Sequence, residues 1–431
     1  MTDVRNAATP GSARVSAMAA GLVGSEILKI AADIRDRVRA GEAICNLTVG
    51  DFASKHFPIP ERLAAGIRTA LERGETNYPP SDGVLELRQA VVRFYERELH
   101  LRYPVESVLI AGGARPVIYA IYRAVVDPGD VVIYPTPSWN NNHYCHMVGA
   151  RGIAVPTGPE TAFMPVRDTL LAALRDARLV CLNTPLNPTG TAISAAALRD
   201  ICEAIVTENH RRTATGERPV YLMYDHVYWM LRVPGVEHHT PPAILPEMAD
   251  YTLFVDGISK AFASTGLRVG WAVGPADVVA RMSALLGHVG AWAPRPEQVA
   301  TVGLLDDTAG IAVYHQRFLS AVKSRLDLLH GGLQAMKAAG LAVDSIPPMG
   351  AIYLTARFAP FGRRTPQGTE LRTNEDVRRY LLEAARFAIV PFQAFGVEGE
   401  SGWFRLSVGA VSEDEVRAAL PRVRQALQEL V

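Results

Sequence analysis

The sequence predicts an α/β protein: a mostly parallel sheet sandwiched by helices, joined to a smaller α+β unit. Three observations predict it. Short apolar runs at Val108–Ala111, Val131–Tyr134, Leu179–Asn183, Val220–Tyr224, Thr252–Asp256 and Val269–Val273 alternate with helical stretches or long loops, as strands buried on both faces do. Beyond residue 313 the pattern changes to one long helical stretch, Tyr314–Ala339, followed by short strands and further helices. The 431 residues, 48% of them hydrophobic, suffice for one large domain and a smaller one.

Taken in order, Met1 to Arg14 reads as a mobile tail. Ser25–Arg39 has helical periodicity, with Ile27, Ile30, Ala31, Ile34 and Val38 on one side. Leu47–Val49 is a short strand that ends at Gly50. Helices follow over Glu61–Arg73 and Val84–Glu98, separated by the turn Tyr78-Pro79-Pro80-Ser81-Asp82-Gly83. In the last part, strands are expected at Ala351–Thr355 and Phe404–Val408, and helices at Asn374–Arg386 and Ser412–Leu430. Arg357–Arg372 is polar and rich in Gly, Pro and Arg, and reads as a surface loop. The expected division is a tail at 1–24, a segment at 25–55 that packs with the small domain, a large domain at 56–313 and a small domain at 314–431.

Composition narrows the function classes. Forty-four basic side chains balance 44 acidic ones, so nothing argues for nucleic acid or an anionic membrane surface. No run of about 18 apolar residues suggests a membrane span. Cys45, Cys145, Cys181 and Cys202 lack metal-ligand spacing, and no metal is expected. Their usage suits a reducing cytosol, and the chain is expected to be cytoplasmic.

The candidate chemistry lies at strand ends, where ligands of such sheets sit. Lys260 stands just beyond the strand Thr252–Asp256, in the run Ser259-Lys260-Ala261-Phe262-Ala263-Ser264-Thr265-Gly266-Leu267-Arg268-Val269-Gly270. A lysine held there can form a Schiff base with a carbonyl, and Arg268 can grip a phosphate by paired hydrogen bonds. Ala111-Gly112-Gly113-Ala114-Arg115-Pro116 follows a strand and opens a helix; glycines let backbone N–H groups approach an anion at a helix N-terminus, though an ordinary strand–helix turn reads the same. Trp139 follows the next strand and can stack on a planar ring, or be core. Asn140, Asn141 and Asn142 can face a polar substrate or cap a loop. In Asn183-Thr184-Pro185-Leu186-Asn187-Pro188-Thr189-Gly190, two prolines and a glycine fix a loop that presents Asn187. Met223-Tyr224-Asp225-His226-Val227-Tyr228 ends a strand on a carboxylate, which needs a cation if buried and is otherwise a helix cap. Arg405, in Gly402-Trp403-Phe404-Arg405-Leu406-Ser407, sits among apolar neighbours and wants a carboxylate, from a substrate or from the chain itself.

Together these strings resemble the fold-type I pyridoxal-phosphate enzymes of the class I/II aminotransferase family, from about Ser25 to the end. The resemblance implies a seven-stranded, mostly parallel sheet and pyridoxal 5′-phosphate as cofactor. It implies Lys260 as the Schiff-base lysine, Asp225 as partner of the ring nitrogen, and Asn187 and Tyr228 as ligands of the ring oxygen. Trp139 is implied as the stacking residue, and Gly113, Ala114, Arg115, Ser259 and Arg268 as the phosphate site. Tyr78 resembles a tyrosine that reaches a phosphate across a dimer interface, which implies a homodimer. Arg405 resembles the anchor of a substrate α-carboxylate, with Gly50 and Asn187 beside it. The activity implied is transfer of an amino group from an L-amino acid, aspartate by family frequency, to a 2-oxo acid such as 2-oxoglutarate. A lyase or oxidase on the same scaffold would share these ligands. A ligand-sensing regulator would need a DNA-binding domain ahead of the first matching helix, where only residues 1–24 stand. The sequence departs from the family pattern after Gly50, and Leu286–Pro294 lacks the partner-subunit arginine of the dicarboxylate branch; Arg295 is nearby.

Overall fold

In the computed structural model, residues 15–22, 24 and 26–431 are described. The expected tail at residues 1–14 lies outside them, as do Ser25 and the Ile27 side chain. Residues 17–21 form a short helix, and His146 Nε2 lies 2.7 Å from the Met18 carbonyl oxygen.

Strand β1 (Cys45–Asn46) comes first. Seven strands then build the large sheet: β2 (Val108–Ala111), β3 (Val131–Thr136), β4 (Arg151–Pro156), β5 (Ala177–Asn183), β6 (Tyr221–Asp225), β7 (Thr252–Gly257) and β8 (Gly270–Val273). Their order is β2-β8-β7-β6-β5-β3-β4. Neighbours from β7 through β4 pair in parallel, whereas β8 runs antiparallel to both β7 and β2. All six predicted strands are present, with ends shifted by up to two residues. The edge strand β4 is absent from the sequence reading because most of its residues face solvent and carry no apolar signal.

Alternation along each strand feeds two cores. Leu222 and Tyr224 of β6 and Phe254 of β7 face one cluster, with Leu87, Val91, Phe94 and Leu198. Met223, Leu253 and Val255 face the other, with Val117, Ile121 and Tyr122. A period of two on a sheet covered on both faces gives this split.

The rest of the chain adds the 31-residue helix Thr308–Ala338 and a second sheet. Strands β9 (Val343–Ser345), β10 (Tyr353–Phe358), β11 (Phe387–Ala388), β12 (Val390–Pro391) and β13 (Trp403–Ser407) follow. The second sheet runs β12-β13-β10-β9. Strand β10 takes in the start of the expected surface loop, and the remainder makes one bridge, Arg364 to Glu370. The early strand falls at Cys45–Asn46 rather than Leu47–Val49, because Cys45 and Asn46 pair in parallel with Phe387 and Ala388. Ile30, Ile34 and Ile44 bury against Leu382, Val390, Phe392 and Phe395.

Candidate active site

The carboxyl ends of β5, β6 and β7 lie side by side, because Asn183 pairs with Asp225 and Asp225 with Val255. After β7 the chain makes one short helix, Ile258–Ala261, which carries Lys260. The Ser264 hydroxyl donates to the Ile258 carbonyl at 2.7 Å, and His315 of the long helix lies 2.7 Å from the Ala261 carbonyl. Lys260 is thereby aimed back across the sheet edge, where its Nζ donates to the Gly50 carbonyl at 2.7 Å. The Phe52 and Tyr228 rings lie 5.9 and 5.7 Å from Nζ. Burial pushes the amine down to about 8; the Asp51 charge opposes this, and Arg405, Arg115 and Arg268 add to it.

Asp225 ends β6 and receives only a weak hydrogen bond on its carboxylate, from Val227 N–H at 3.3 Å. Burial holds it up at about 7, against that bond and the charge of Lys260. Among the described residues no cation pairs with it within 4 Å. Its own carbonyl accepts from Asn183 Nδ2 at 2.8 Å, and the Asn183 side-chain oxygen accepts from Asn187 N–H at 2.8 Å. This links the Asp225 strand to the loop that presents Asn187.

Arg405 lies at the centre of the second sheet, opposite Thr355 of β10 and Val390 of β12, and is 2% exposed. It donates to the Asn187 side-chain oxygen at 3.1 Å and to the Thr48 carbonyl at 2.6 Å, while its Nε has no partner. The Tyr353 and Phe395 rings flank the guanidinium at 4.9 Å each. Burial lowers its pKa, and no carboxylate pairs with it among the described residues. Tyr228, also buried, shares a 2.6 Å hydrogen bond with the Tyr353 hydroxyl. Gly50 is required here: a Cβ on it would come within 2.9 Å of the Tyr353 hydroxyl and 3.5 Å of Arg405 Nη1.

The third part is a cradle. Gly113 caps the helix Ala114–Val125 at φ +97°, and a Cβ there would overlap the Arg268 guanidinium. Arg268 itself donates to the carbonyls of Thr265 at 2.6 Å and Gly112 at 3.0 Å. Burial and Arg115 lower its pKa. Ser259 is half-buried beside Lys260. Trp139 is half-buried, and the Arg115 guanidinium stacks 4.5 Å from its ring. A helix N-terminus beside a guanidinium that is tied only to carbonyls, that of Arg268, is a site for an anion.

Lys260, Asp225, Asn187, Tyr228, Arg405, Gly50, Gly113 and Arg268 thus converge. Tyr78 does not join them within one chain. It is 83% exposed and lies edge-on to Trp292 at 5.2 Å. Arg295 is paired with Glu75 at 2.6 Å. The Asn141 side chain is taken up by its own chain, donating to the Ser138 hydroxyl at 2.6 Å and accepting from the Tyr122 hydroxyl at 2.9 Å, and no side chain caps the helix it opens. Sequence reasoning missed Tyr353, which reads as one more core residue of a strand, and the Thr265 hydroxyl that donates to Asp51 at 2.5 Å. Asp51 lies in the segment after Gly50, and its carboxylate was the available signal.

Comparison with known proteins identifies the family. Residues 42–423 match the model of the aminotransferase class I and II family. An aspartate aminotransferase of Rhizobium meliloti is 33% identical over 94% of both chains. An aspartate/prephenate aminotransferase of Thermus thermophilus is 32% identical over 90% of this chain and 92% of its own. The crystal structure of the Rhizobium meliloti aspartate aminotransferase superposes with a TM-score of 0.88, at 31% identity, over 97% of this chain and 99% of that one. Thermus thermophilus aspartate aminotransferase with maleate gives 0.84, at 28% identity, over 96% and 99%. With the family model spanning nearly the whole chain and the fold shared throughout, this protein belongs to the aminotransferase class I and II family.

Proposed function

We propose that the protein is a pyridoxal-phosphate-dependent aminotransferase that moves the amino group of L-aspartate to 2-oxoglutarate. The observation that carries the reading is a set of charges without counter-ions around one lysine: Asp225 without a cation, and the buried Arg405 and half-buried Arg268 without an acid. Buried charges left this way are costly unless a ligand completes them. Pyridoxal 5′-phosphate fits the set. Gly113, the first-turn N–H groups of Ala114 and Arg115, Ser259 and Arg268 would hold its phosphate. Asp225 would pair with its ring nitrogen, Asn187 and Tyr228 with its ring oxygen, and Trp139 would cover its face.

When bound, the cofactor supplies an aldehyde that takes the amino group and an electron-poor ring that accepts charge from the Cα–H bond. The residues do the rest. Arg405 binds the α-carboxylate through the N–H groups that Asn187 and Thr48 do not take, and Gly50 keeps that space open. Lys260, pushed down to about 8, has a useful neutral fraction near neutral pH; it can take the Cα proton and would deliver it to the carbon that carried the aldehyde. Asp225 keeps a proton on the ring nitrogen, because two buried opposite charges satisfy one another where a lone carboxylate is penalised. Tyr353 orients Tyr228 through their shared hydrogen bond.

The same reading divides the chain into the segment 25–55, a large domain at 56–313 and a small one at 314–431, supported by the β1–β11 pairing. It makes the protein a cytoplasmic homodimer in which Tyr78 reaches the partner's phosphate, supported by that tyrosine's exposure in the single chain. No described helix is long and apolar enough to cross a membrane, and no group of three His, Cys, Asp or Glu residues among those described can hold a metal.

The test is to supply pyridoxal phosphate, L-aspartate and 2-oxoglutarate and to measure oxaloacetate, glutamate and ammonia. Oxaloacetate and glutamate should form in equal amounts, and Lys260→Ala should cut the rate by at least about 10⁴-fold. Ammonia without glutamate would replace transfer by a lyase or oxidase outcome.

A further inference from the structure

On the face of the large sheet opposite Asp225, the strand ends carry a second carboxylate. Asp225 pairs with Val255 across β6 and β7, so Asp256 stands one residue further along, on the face that Tyr224 and Phe254 share. His226 follows Asp225 and turns to that same face, its ring 4.9 Å from Phe254. Its N–H donates to the Val255 carbonyl at 3.1 Å. Asp256 and His226 are both buried. Asp256 accepts from Gly257 N–H at 2.7 Å, from Trp229 Nε1 at 3.0 Å and from the Tyr95 hydroxyl at 3.3 Å. Tyr95, on the helix Leu85–Leu99, lies 2.9 Å from His226 Nε2 and accepts from Trp271 Nε1 at 3.3 Å. His226 Nδ1 lies 3.2 Å from His238 Nε2. His238 lines a cavity of about 250 Å³ beside the exposed His100. A continuous set of contacts thus runs from the surface to Asp256, and the roles of Lys260, Asp225 and Arg405 leave it unused.

Every donor can point one way along this set. His238 Nε2–H donates to His226 Nδ1, His226 Nε2–H to the Tyr95 oxygen, and the Tyr95 O–H to an ionised Asp256. A proton arriving at His238 Nδ1 reverses the order: each middle group takes one proton and passes one on, and Asp256 ends protonated. Burial, with the charge of Asp225 adding to it, raises the Asp256 carboxyl to about 8 against its three donors. The titratable groups facing it are Tyr95, His226 at 3.7 Å and Asp225; Tyr103 bears on Tyr95, and Arg232 and His239 on His238. We propose that Asp256 is a positioning residue that acts through Asp225, its negative charge strengthening the hold on the cofactor's ring-nitrogen proton, and that Tyr95, His226 and His238 carry its own proton to and from solvent. The proposal rests on the aminotransferase reading and adds a group that never touches the cofactor. A second anion one strand away favours the protonated ring.

Two measurements test it. In the cofactor-free protein, infrared spectroscopy follows the protonated carboxyl groups as pH rises through about 8. Asp256→Asn should remove one titrating band and leave that of Asp225. Trp229→Phe should move the Asp256 titration to higher pH, because the carboxylate loses a donor. His238→Gln should leave the titration in place and slow its approach after a pH jump. In the second measurement, the affinity of the wild type for pyridoxal phosphate is divided by that of Asp256→Asn at each pH. The ratio should hold a constant low value while Asp256 is protonated and rise about 10-fold as it ionises, the equivalent of one pKa unit. A ratio that does not change with pH makes Asp256 merely structural and overturns the proposal. A His238→Gln protein that relaxes at the wild-type rate overturns the route. If Asp256→Asn does not fold, Trp229→Phe carries the test: its step in cofactor affinity should move with its infrared titration, and a step that stays at the wild-type pH overturns the proposal. A wild-type protein that binds no pyridoxal phosphate overturns the aminotransferase reading, and the role at the ring nitrogen with it, whatever the infrared titration shows of Asp256.

Discussion

Two buried arginines in this molecule have opposite fates. Arg212, 5% exposed near the end of the helix Ala195–Thr215, meets Glu208 at 2.7 Å. It also donates to the carbonyls of Leu174, Arg175 and Arg218. Around it Arg211 bonds both Glu208 and Glu217, and the Glu217 carboxyl is held down at about 2 by those bonds. Arg405, 2% exposed, has two acceptors, an orphaned Nε and no acid. The first arginine is completed by its own chain and serves the fold. The second is incomplete within its own chain, and its completion is a binding event. A buried charge without a counter-ion weakens the folded state, so its persistence at the meeting point of two sheets marks a site.

The sharpest way to break this contrast is to remove each charge and read stability and catalysis separately. Arg405→Met should lower kcat/KM for aspartate by roughly 10²–10³-fold, as loss of a charged anchor does. In the cofactor-free protein its urea midpoint should hold or rise, since a penalised charge has gone. A large drop in the midpoint would mean that Arg405 is structural after all.

Next in size is the pH response of the cofactor-free protein. The Asp225 carboxyl is raised from its ordinary 3.8 to about 7. The folded state then holds a proton that the unfolded chain gives up, so stability falls as pH rises between those values. Urea midpoints should decline from pH 4 to pH 7, and Asp225→Asn should flatten the decline. Adding the cofactor should flatten it too, because the carboxylate then gains its cation. An unaltered slope in the variant would assign the decline to other groups.

The smallest effect belongs to the completed arginine. Glu208→Gln leaves Arg212 buried with carbonyls alone and should cost about 1–3 kcal/mol of stability, read from the same denaturation curves. Turnover should stay at the wild-type level. Together these reversed outcomes at Arg405 and Glu208 would show that partner type, rather than burial, separates a structural cation from a functional one.

Much of this was legible in the chain. Apolar runs bounded by Gly, Pro and Asn place the central strands, because burial on both faces demands continuous Val, Ile and Leu. Lys260, Asp225 and Asn187 were legible for the same reason: each is a polar residue just where an apolar run stops. The edge strand Arg151–Pro156 was not, since one-sided exposure erases the pattern. Nor was Cys45–Asn46, whose strand state depends on pairing with Phe387–Ala388.

What the sequence determined by itself is the periodicity of the elements, the order of the strand ends and the kinds of side chain standing there. Those are properties of local chain chemistry. What only the tertiary structure decided is which charges find partners. Arg212 and Arg405 look alike as lone arginines amid mixed neighbours, and Arg295 looks freer than Arg115. Folding delivers Glu208 to Arg212 and Glu75 to Arg295, and leaves the buried Arg405 without an acid. Ion pairing acts over a few ångströms in space between residues far apart in the chain, so it is settled when the elements pack.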